Sequence, residues 1–451
     1  MARYELTQFA SVRAILRNRW PQLVLQLVAV AGLLLVLLAA LVGTSVGSRN
    51  FGVVAVWIGW WAVLMILAVP AAGRGWCAIC PLPLPGEWLQ RRSLLGPQGP
   101  AFGLGLRWPR RLRNLWPQNV IFAAVAVVSA VVLTQPRLTG LVLAGLILAA
   151  IAVSLVFERR SFCRYLCPVG GFIGLYAQAA PIGIRVKDTT VCASHREKTC
   201  YTGSDQGYGC PWQVYPGALA RNSACGLCLE CLRTCPHDNV AVVLRTPGSD
   251  LSGSSRRGLD EAFKGFLMLG SAAVYAAVML GPWGALKSAA AAIGAWSWAG
   301  YAAGLLLFAF SVLPGTFLGA VLLGRRVSPS AASLRHVFSS LSAALVPLGL
   351  SAWVAFSLAF ALVNLSYLWP ALSDPMGWGW DLLGTAGVAW TPYLSSAIPG
   401  LQTLVLLGGL GWSAWVAVRM GRALNGDERI AWPVVGWCVL MTVGLLWLLV
   451  G

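Results

Sequence analysis

The sequence predicts a mainly α-helical, polytopic membrane protein into which one small α+β extramembrane domain is inserted. Three observations predict this class: 58% of the 451 residues are hydrophobic, only 11% are charged, and the mean hydropathy is +0.72. A soluble protein carries about 25% charged residues, and a helix needs about 20 consecutive apolar residues to cross a bilayer. We count about nine such runs, at 22–43, 51–72, 118–135, 138–157, 262–281, 290–313, 337–363, 399–420 and 433–450.

The positive charges predict which side of the membrane each loop occupies. The chain has 33 Lys and Arg against 15 Asp and Glu, a net charge of +18. If the N-terminus is inside, only Arg49, Arg137 and Lys287 fall in outside loops. Short cytoplasmic loops collect Lys and Arg. The charge therefore indicates the topology of a multi-pass inner (cell) membrane protein, with some attraction to anionic lipid bilayers, and it does not indicate nucleic acid binding.

We expect three parts along the chain. Residues 1–157 would form an N-terminal membrane region of four helices, with a cytoplasmic, cysteine-containing loop at 73–117. Residues 158–261 are the only sizeable segment without a span and would form a cytoplasmic domain. Residues 262–451 would form a C-terminal membrane region of about five helices. All cysteines except Cys438 lie in the two cytoplasmic segments, where thiols stay reduced, so we expect ligation rather than disulfides.

The most specific motif is a run of four cysteines followed by Pro236, formed by Cys225, Cys228, Cys231 and Cys235. Its C-x2-C-x2-C-x3-C-P spacing is typical of bacterial iron–sulfur proteins, in which three thiolates bind one [4Fe–4S] cluster and the fourth binds another. The alternative is a zinc site, which usually has two separated C-x2-C pairs. The run therefore predicts that 158–261 is ferredoxin-like.

Three further cysteines upstream predict a second cluster: Cys192, Cys200 and Cys210. Cys210 precedes a proline, and in two-cluster ferredoxins the thiolates of Cys-Pro are exchanged between clusters. By that rule Cys210 completes the ligands of the first cluster, and Cys235 joins the other two. The second set then lacks one ligand. His195, Asp205 or a further cysteine could supply it, or the cluster could lack an iron; the alternative is that the upstream cysteines are structural thiols.

Two cysteine pairs follow predicted spans, Cys77 with Cys80 and Cys163 with Cys167. Each pair ends in Cys-Pro after an even-numbered helix, so the two look like a weak internal repeat. Four thiolates would then meet at one face of the membrane. They could hold a third cluster or another metal, or each pair could act as a redox dithiol.

The residues Cys163-Arg-Tyr-Leu-Cys167-Pro-Val-Gly, followed by the 225–236 run, resemble the NosR/NapH-type polytopic membrane ferredoxins. The resemblance covers roughly 50–245 and is weaker at the first pair, whose spacing is two residues rather than three. It implies a cytoplasmic module with two [4Fe–4S] clusters and electron transfer between quinone or cytoplasmic donors and respiratory reductases. The chain departs from the family in its irregular first ferredoxin half and in the five spans that follow the module.

We therefore predict an electron carrier or oxidoreductase subunit rather than a stand-alone enzyme. Its clusters, two or three in number, would relay electrons between a cytoplasmic or quinone donor and a membrane respiratory partner or soluble carrier. No histidine lies in the middle of a span to bind haem, and ionisable residues avoid the span interiors, which disfavours transport. Arg221 and Arg233 lie near the run and would raise a cluster potential. The alternatives are an assembly or maturation factor for a membrane metalloenzyme, and a membrane anchor with structural clusters.

Overall fold

A computed structural model describes residues 3–97, 102–251 and 257–451. The chain is mainly helical and forms two compact units, each drawn from segments that are distant in sequence. Unit 1 comprises Met1–Leu35, Leu67–Gln118 and Leu143–Gly253, and unit 2 comprises Val36–Ile66, Asn119–Val142 and Ser254–Gly451.

Among the described residues, eight helices are long and apolar enough to cross a membrane. They are Trp20–Val42, Phe51–Ala78, Pro136–Val156, Leu259–Met279, Trp296–Val327, Leu334–Ser373, Ile398–Leu424 and Glu428–Leu449. The predicted span at 118–135 is instead the shorter apolar helix Trp116–Val132, of 17 residues. At about 1.5 Å per residue it reaches about 25 Å, less than the hydrocarbon thickness of about 30 Å. Nine apolar runs therefore give eight helices of full spanning length.

Within unit 2, two helices form the centre. Leu259–Met279 and Leu334–Ser373 are mostly buried, whereas Ile398–Leu424 and Glu428–Leu449 expose most of their apolar surface, as expected of helices that face lipid. Trp353 donates from Nε1 to the carbonyl of Met268 at 3.0 Å, which joins the two central helices. Cys438 is buried in this unit and packs there.

Unit 1 contains one small antiparallel sheet and most of the short helices. Strands β1 (Arg3–Glu5), β2 (Ile182–Val186) and β3 (Val240–Arg245) are ordered β1-β3-β2. Ile184 faces Val242 across the β2–β3 pair, and both are buried with Leu232. The short helices are Ala10–Arg17, Leu84–Arg91, Ser161–Tyr165, Pro168–Tyr176, Thr189–Ser194, Thr199–Thr202 and Glu230–Thr234, and unit 2 adds Gly284–Ala291. The β2–β3 pair brackets the segment that carries seven cysteines.

Candidate metal centre

Unit 1 brings the two juxtamembrane cysteine pairs to one place. Cys77 lies in the 3₁₀ turn Gly73–Ala78 and Cys80 just after it, while Cys163 lies in Ser161–Tyr165 and Cys167 caps Pro168–Tyr176. All four line one small cavity, which is otherwise lined by Trp76, Leu82, Pro83, Phe162, Val169, Gly170 and Ile173. We call these four cysteines the juxtamembrane set.

The local sequence explains how the chain bends towards this cavity. The apolar helix ends at Gly73, whose φ is +56°, and a Cβ there would lie 2.8 Å from the Cβ of Ala177. Only glycine fits both restrictions. In the second pair, proline occupies the first turn of the Pro168–Tyr176 helix, and the Sγ of Cys167 accepts a hydrogen bond from the Gly170 N–H at 3.2 Å. The Cys-Pro sequence thus places a thiol at a helix N-terminus, where a thiolate is stabilised.

The juxtamembrane thiols are buried against one another. Burial raises the pKa of Cys80 and Cys163 above the ordinary thiol value, and that of Cys167 to about 11; the charges of neighbouring cysteines add to the rise. A thiolate must be formed for metal ligation, and several thiolates in an apolar cavity need a compensating positive charge. The set therefore fits a cofactor whose iron supplies that charge.

The cysteines of the 225–236 run gather with one upstream cysteine. Cys210 lies close enough to Cys225, Cys228 and Cys231 for its charge to oppose ionisation of each, although burial is the main reason that their pKa values are raised. We call these four the run set. It has the membership that the Cys-Pro rule predicts, and ligation of a cluster by it remains a prediction.

The backbone of the run is wound in an uncommon way. Leu227 and Leu229 have φ values of 49° and 63°, a region that non-glycine residues rarely adopt. Such residues are concentrated at ligand clamps and active sites. The N–H groups of Leu227 and Glu230 donate to the sulfurs of Cys225 and Cys228 and lower their pKa values, against the larger effect of burial. Hydrogen bonds of this kind are how a protein stabilises cluster thiolates.

The remaining cysteines form a three-cysteine set, Cys192, Cys200 and Cys235. Burial, followed by the charges of Cys235 and Cys192, raises the pKa of Cys200 to about 11. Asn239 donates from Nδ2 to the Sγ of Cys192 at 3.2 Å and from its backbone N–H to the Sγ of Cys235 at 3.4 Å. This buried asparagine therefore holds two of the three sulfurs, and no motif in the sequence predicts that role.

Both predicted candidates for the missing fourth ligand lie in unit 1. Asp205 lines a cavity that also contains Cys235. The Nδ1 of His195 contacts the carbonyl of Val191 at 2.6 Å, and its ring lies 4.5 Å from that of His237. In the part of the chain that the structure describes, no three His, Cys, Asp or Glu side chains converge on a single metal ion. Thiolates that ligate a cubane bind different irons, so they need not converge on one point.

Buried arginines surround these cysteines, and sequence reasoning selected only some of them. Arg233 lies where we expected it and donates to the carbonyl of Cys228 at 3.3 Å, but it is paired with Glu230 at 2.9 Å. Arg74 and Arg160 contact both the juxtamembrane pairs and the segment between 211 and 223, and the motifs in the sequence did not point to them. The signal was available in the sequence, because each stands three residues before the first cysteine of a juxtamembrane pair.

One protein-family model, that of a 4Fe-4S binding domain, matches part of the chain, at residues 53–114 and 138–187. These two segments contain the two juxtamembrane pairs. The match supports an iron–sulfur protein of the ferredoxin type, and it does not reach the cysteines between 192 and 235. No curated protein and no solved structure matches the chain. The NosR/NapH-type resemblance therefore remains a prediction.

Proposed function

We propose that this protein is a membrane-bound electron carrier that relays electrons through [4Fe–4S] clusters between a cytoplasmic or quinone donor and a membrane respiratory partner. The observation that carries the proposal is the juxtamembrane set. Four cysteines, of which Cys80 is partly buried and the other three are buried, line one apolar cavity next to long apolar helices, and two of them come from each segment matched by the 4Fe-4S family. A [4Fe–4S] cluster, when bound, takes up and releases one electron at a time.

The proposed ligands form three sets. The juxtamembrane set and the run set would supply four thiolates each. The three-cysteine set would need one further ligand, for which Asp205 is a candidate because it lines the same cavity as Cys235. The protein's own contribution is to bury the thiolates, exclude water from them and direct N–H groups at their sulfurs. These are the features by which a protein sets a cluster potential.

The surroundings of two of the sets indicate which partner each would serve. Cys235 is only partly buried, and Arg17, Thr199 and Asp205 line the open cavity beside it. The juxtamembrane set is enclosed by apolar side chains instead. We propose that a soluble carrier exchanges electrons near Cys235, and that a quinone or a membrane subunit does so near the juxtamembrane set. The inside bias of Lys and Arg supports a cytoplasmic location for all three sets.

Iron and sulfide quantitation with EPR on anaerobically purified protein tests the proposal. The wild type should contain the iron of three clusters. Cys163→Ser should lose the iron and signal of one cluster, and Cys228→Ser those of another. Cys438→Ser is the matched control, because this buried cysteine lies outside all three sets and should retain everything. Full iron in Cys163→Ser would contradict a cluster at the juxtamembrane set.

Reduction of the clusters tests the relay itself. Addition of a quinol analogue or a reduced soluble ferredoxin should change the EPR signals, and turnover should follow when an acceptor is present. Clusters that stay in one redox state across the accessible range of potentials would contradict electron transfer. They would favour the anchor with structural clusters that the sequence left as an alternative.

A further inference from the structure

Each juxtamembrane cysteine pair is preceded by an arginine at the same spacing. The sequences are Arg74-Gly-Trp-Cys77 and Arg160-Ser-Phe-Cys163. Both arginines are buried, at 5% exposure each. Buried arginine is rare unless it is paired, since removing a charge from water is costly. The two side chains therefore need partners, and the structure shows which ones they have.

The two arginines bind each other's motif reciprocally. Arg160 donates from Nη1 to the carbonyl of Cys77 at 2.5 Å, and Arg74 donates from Nη2 to the carbonyl of Cys163 at 3.4 Å. The carbonyl that accepts belongs in each case to the first cysteine of the opposite pair. The repeated sequence therefore gives the same contact twice, and these two hydrogen bonds join the two cysteine pairs of the juxtamembrane set.

Both arginines also reach the region of the run set. Arg74 donates from Nη1 to the carbonyl of Ser223 at 2.7 Å, two residues before Cys225. The backbone N–H of Arg160 donates to the carbonyl of Pro211 at 3.1 Å, directly after Cys210. Only the first of these bonds involves a charged group, and with the bond to Cys163 it places the guanidinium of Arg74 between the two cysteine sets.

Within the described ranges of the chain, only one of the two arginines forms an ion pair with a carboxylate. Arg160 donates from Nε and Nη2 to the Oε2 of Glu87, at 2.8 and 2.5 Å, so its charge is neutralised by a buried carboxylate. Arg74 has no carboxylate at ion-pair distance among the described residues, and its Nε has no hydrogen-bond partner. Its guanidinium lies 4.1 Å from the centre of the Trp212 ring.

Two glycines leave room for the guanidinium of Arg74. Gly170 and Gly174 lie one turn apart on the Pro168–Tyr176 helix, and a Cβ would lie 3.3 Å and 3.0 Å from the nitrogens of Arg74. Through its two Nη atoms, Arg74 contacts the juxtamembrane set at the carbonyl of Cys163 and the segment just before the run set at the carbonyl of Ser223.

We propose that Arg74 sets the reduction potentials of the clusters at both the juxtamembrane set and the run set. Arg160, whose charge is neutralised by Glu87, has the structural role of joining the two cysteine pairs. This inference rests on the proposed function. An electron added to a cluster makes it more negative, so an unpaired cation beside two cluster sites stabilises the reduced state at both. Arg74 therefore raises both reduction potentials.

EPR-monitored redox titration of the full-length protein tests this. The two signals are first assigned by their loss in Cys163→Ser and Cys228→Ser. Arg74→Gln should then shift the reduction equilibrium of both signals about tenfold towards the oxidised state, a decrease of ~59 mV for a one-electron couple. Arg74→Lys, which keeps the charge, should stay near the wild-type potentials. A change of both potentials in the same direction is not expected of a residue that only supports the fold.

Arg113→Gln is the control for a general effect of removing an arginine. It removes an exposed arginine of the same unit and should leave both potentials unchanged. The inference is overturned if Arg74→Gln retains its iron with unchanged potentials, or if Arg113→Gln shifts them as strongly.

Loss of iron is also a decisive outcome. If Arg74→Gln loses iron but Arg74→Lys retains it with wild-type potentials, the charge is what the sites require and the inference stands. If both variants lose iron, Arg74 is structural and the inference fails. A wild-type protein without iron–sulfur signals would instead defeat the proposed function itself, so the two failures are distinguishable.

Discussion

The carboxylate of Glu87 lies in the interior of unit 1 between two arginines, and its removal is the most direct test of what stabilises the surroundings of the juxtamembrane set. Its Oε2 accepts two N–H groups from Arg160, and its Oε1 pairs with Arg91. The side chains of Glu87 and Arg160 are 5% and 4% exposed. Glu87→Gln keeps the shape and removes the charge, which leaves Arg160 buried without its counterion.

The expected loss of stability in Glu87→Gln follows from that burial. Breaking a buried ion pair by removal of one partner costs about 3–5 kcal/mol, because the remaining charge is uncompensated. The pair of Glu428 with Arg422 is the matched control, since these side chains are 35% and 63% exposed. Exposed pairs contribute about 0–1 kcal/mol. Glu87→Gln should therefore destabilise the protein several-fold more than Glu428→Gln.

The same carboxylate predicts a dependence on pH. Burial alone would raise the pKa of Glu87, but the charges of Arg160 and Arg91 outweigh it, and the pKa is lowered below the ordinary value. A lowered folded-state pKa contributes stability that is fully present above the unfolded-state value of about 4.3. That contribution declines as the pH falls below this value and is lost once the pH passes the folded-state pKa. The difference between wild type and Glu87→Gln should shrink accordingly in acid.

Unfolding of the detergent-purified protein, followed by the fluorescence of its 22 tryptophans, measures both effects. Wild type, Glu87→Gln and Glu428→Gln are compared at neutral pH and then over a series of lower pH values. Equal stabilities of the two variants would refute the reasoning. So would a difference between wild type and Glu87→Gln that does not change in acid.

Three further predictions concern unit 1. A Cβ on Gly226 would lie 2.1 Å from the Nε1 of the buried Trp212, so Gly226→Ala should cost about 1–3 kcal/mol by overpacking and should reduce the iron content. Asn239→Leu removes the hydrogen bond to the Sγ of Cys192 and should lower the potential of one EPR signal, measured by redox titration, without moving the other two. A reporter fused after residue 245 should be active on the cytoplasmic side.

Matched controls accompany these predictions. Gly96→Ala introduces a Cβ that meets no atom within 4 Å and should leave iron content and stability unchanged. Equal effects of the two alanine variants would contradict the steric argument. An unchanged potential in Asn239→Leu would mean that its bond to the sulfur has no electrostatic role, and a periplasmic reporter signal would overturn the assignment of sides.

The sequence by itself determined the features that depend on neighbouring residues. Apolar runs long enough to span a bilayer are visible in composition, and all but 118–135 became helices of spanning length. The spacing of Cys225, Cys228, Cys231 and Cys235 is equally local, because all four lie in one short segment of the sequence. The small sheet was expected only in outline. Its strand β1 comes from the N-terminus, where three residues carry no pattern strong enough to predict a pairing with β3.

Only the tertiary structure decided which distant residues meet. The repeat of a Cys-Pro pair after even-numbered helices predicts that the two pairs meet at one face of the membrane, but the apolar cavity that all four cysteines line is seen only in the structure. The same is true of Arg74 and Arg160, whose partners are backbone carbonyls that any residue could provide. The physical reason is that a ligand motif is defined by the types of a few neighbouring side chains. Burial, charge compensation and reciprocal hydrogen bonds arise only when separate segments pack.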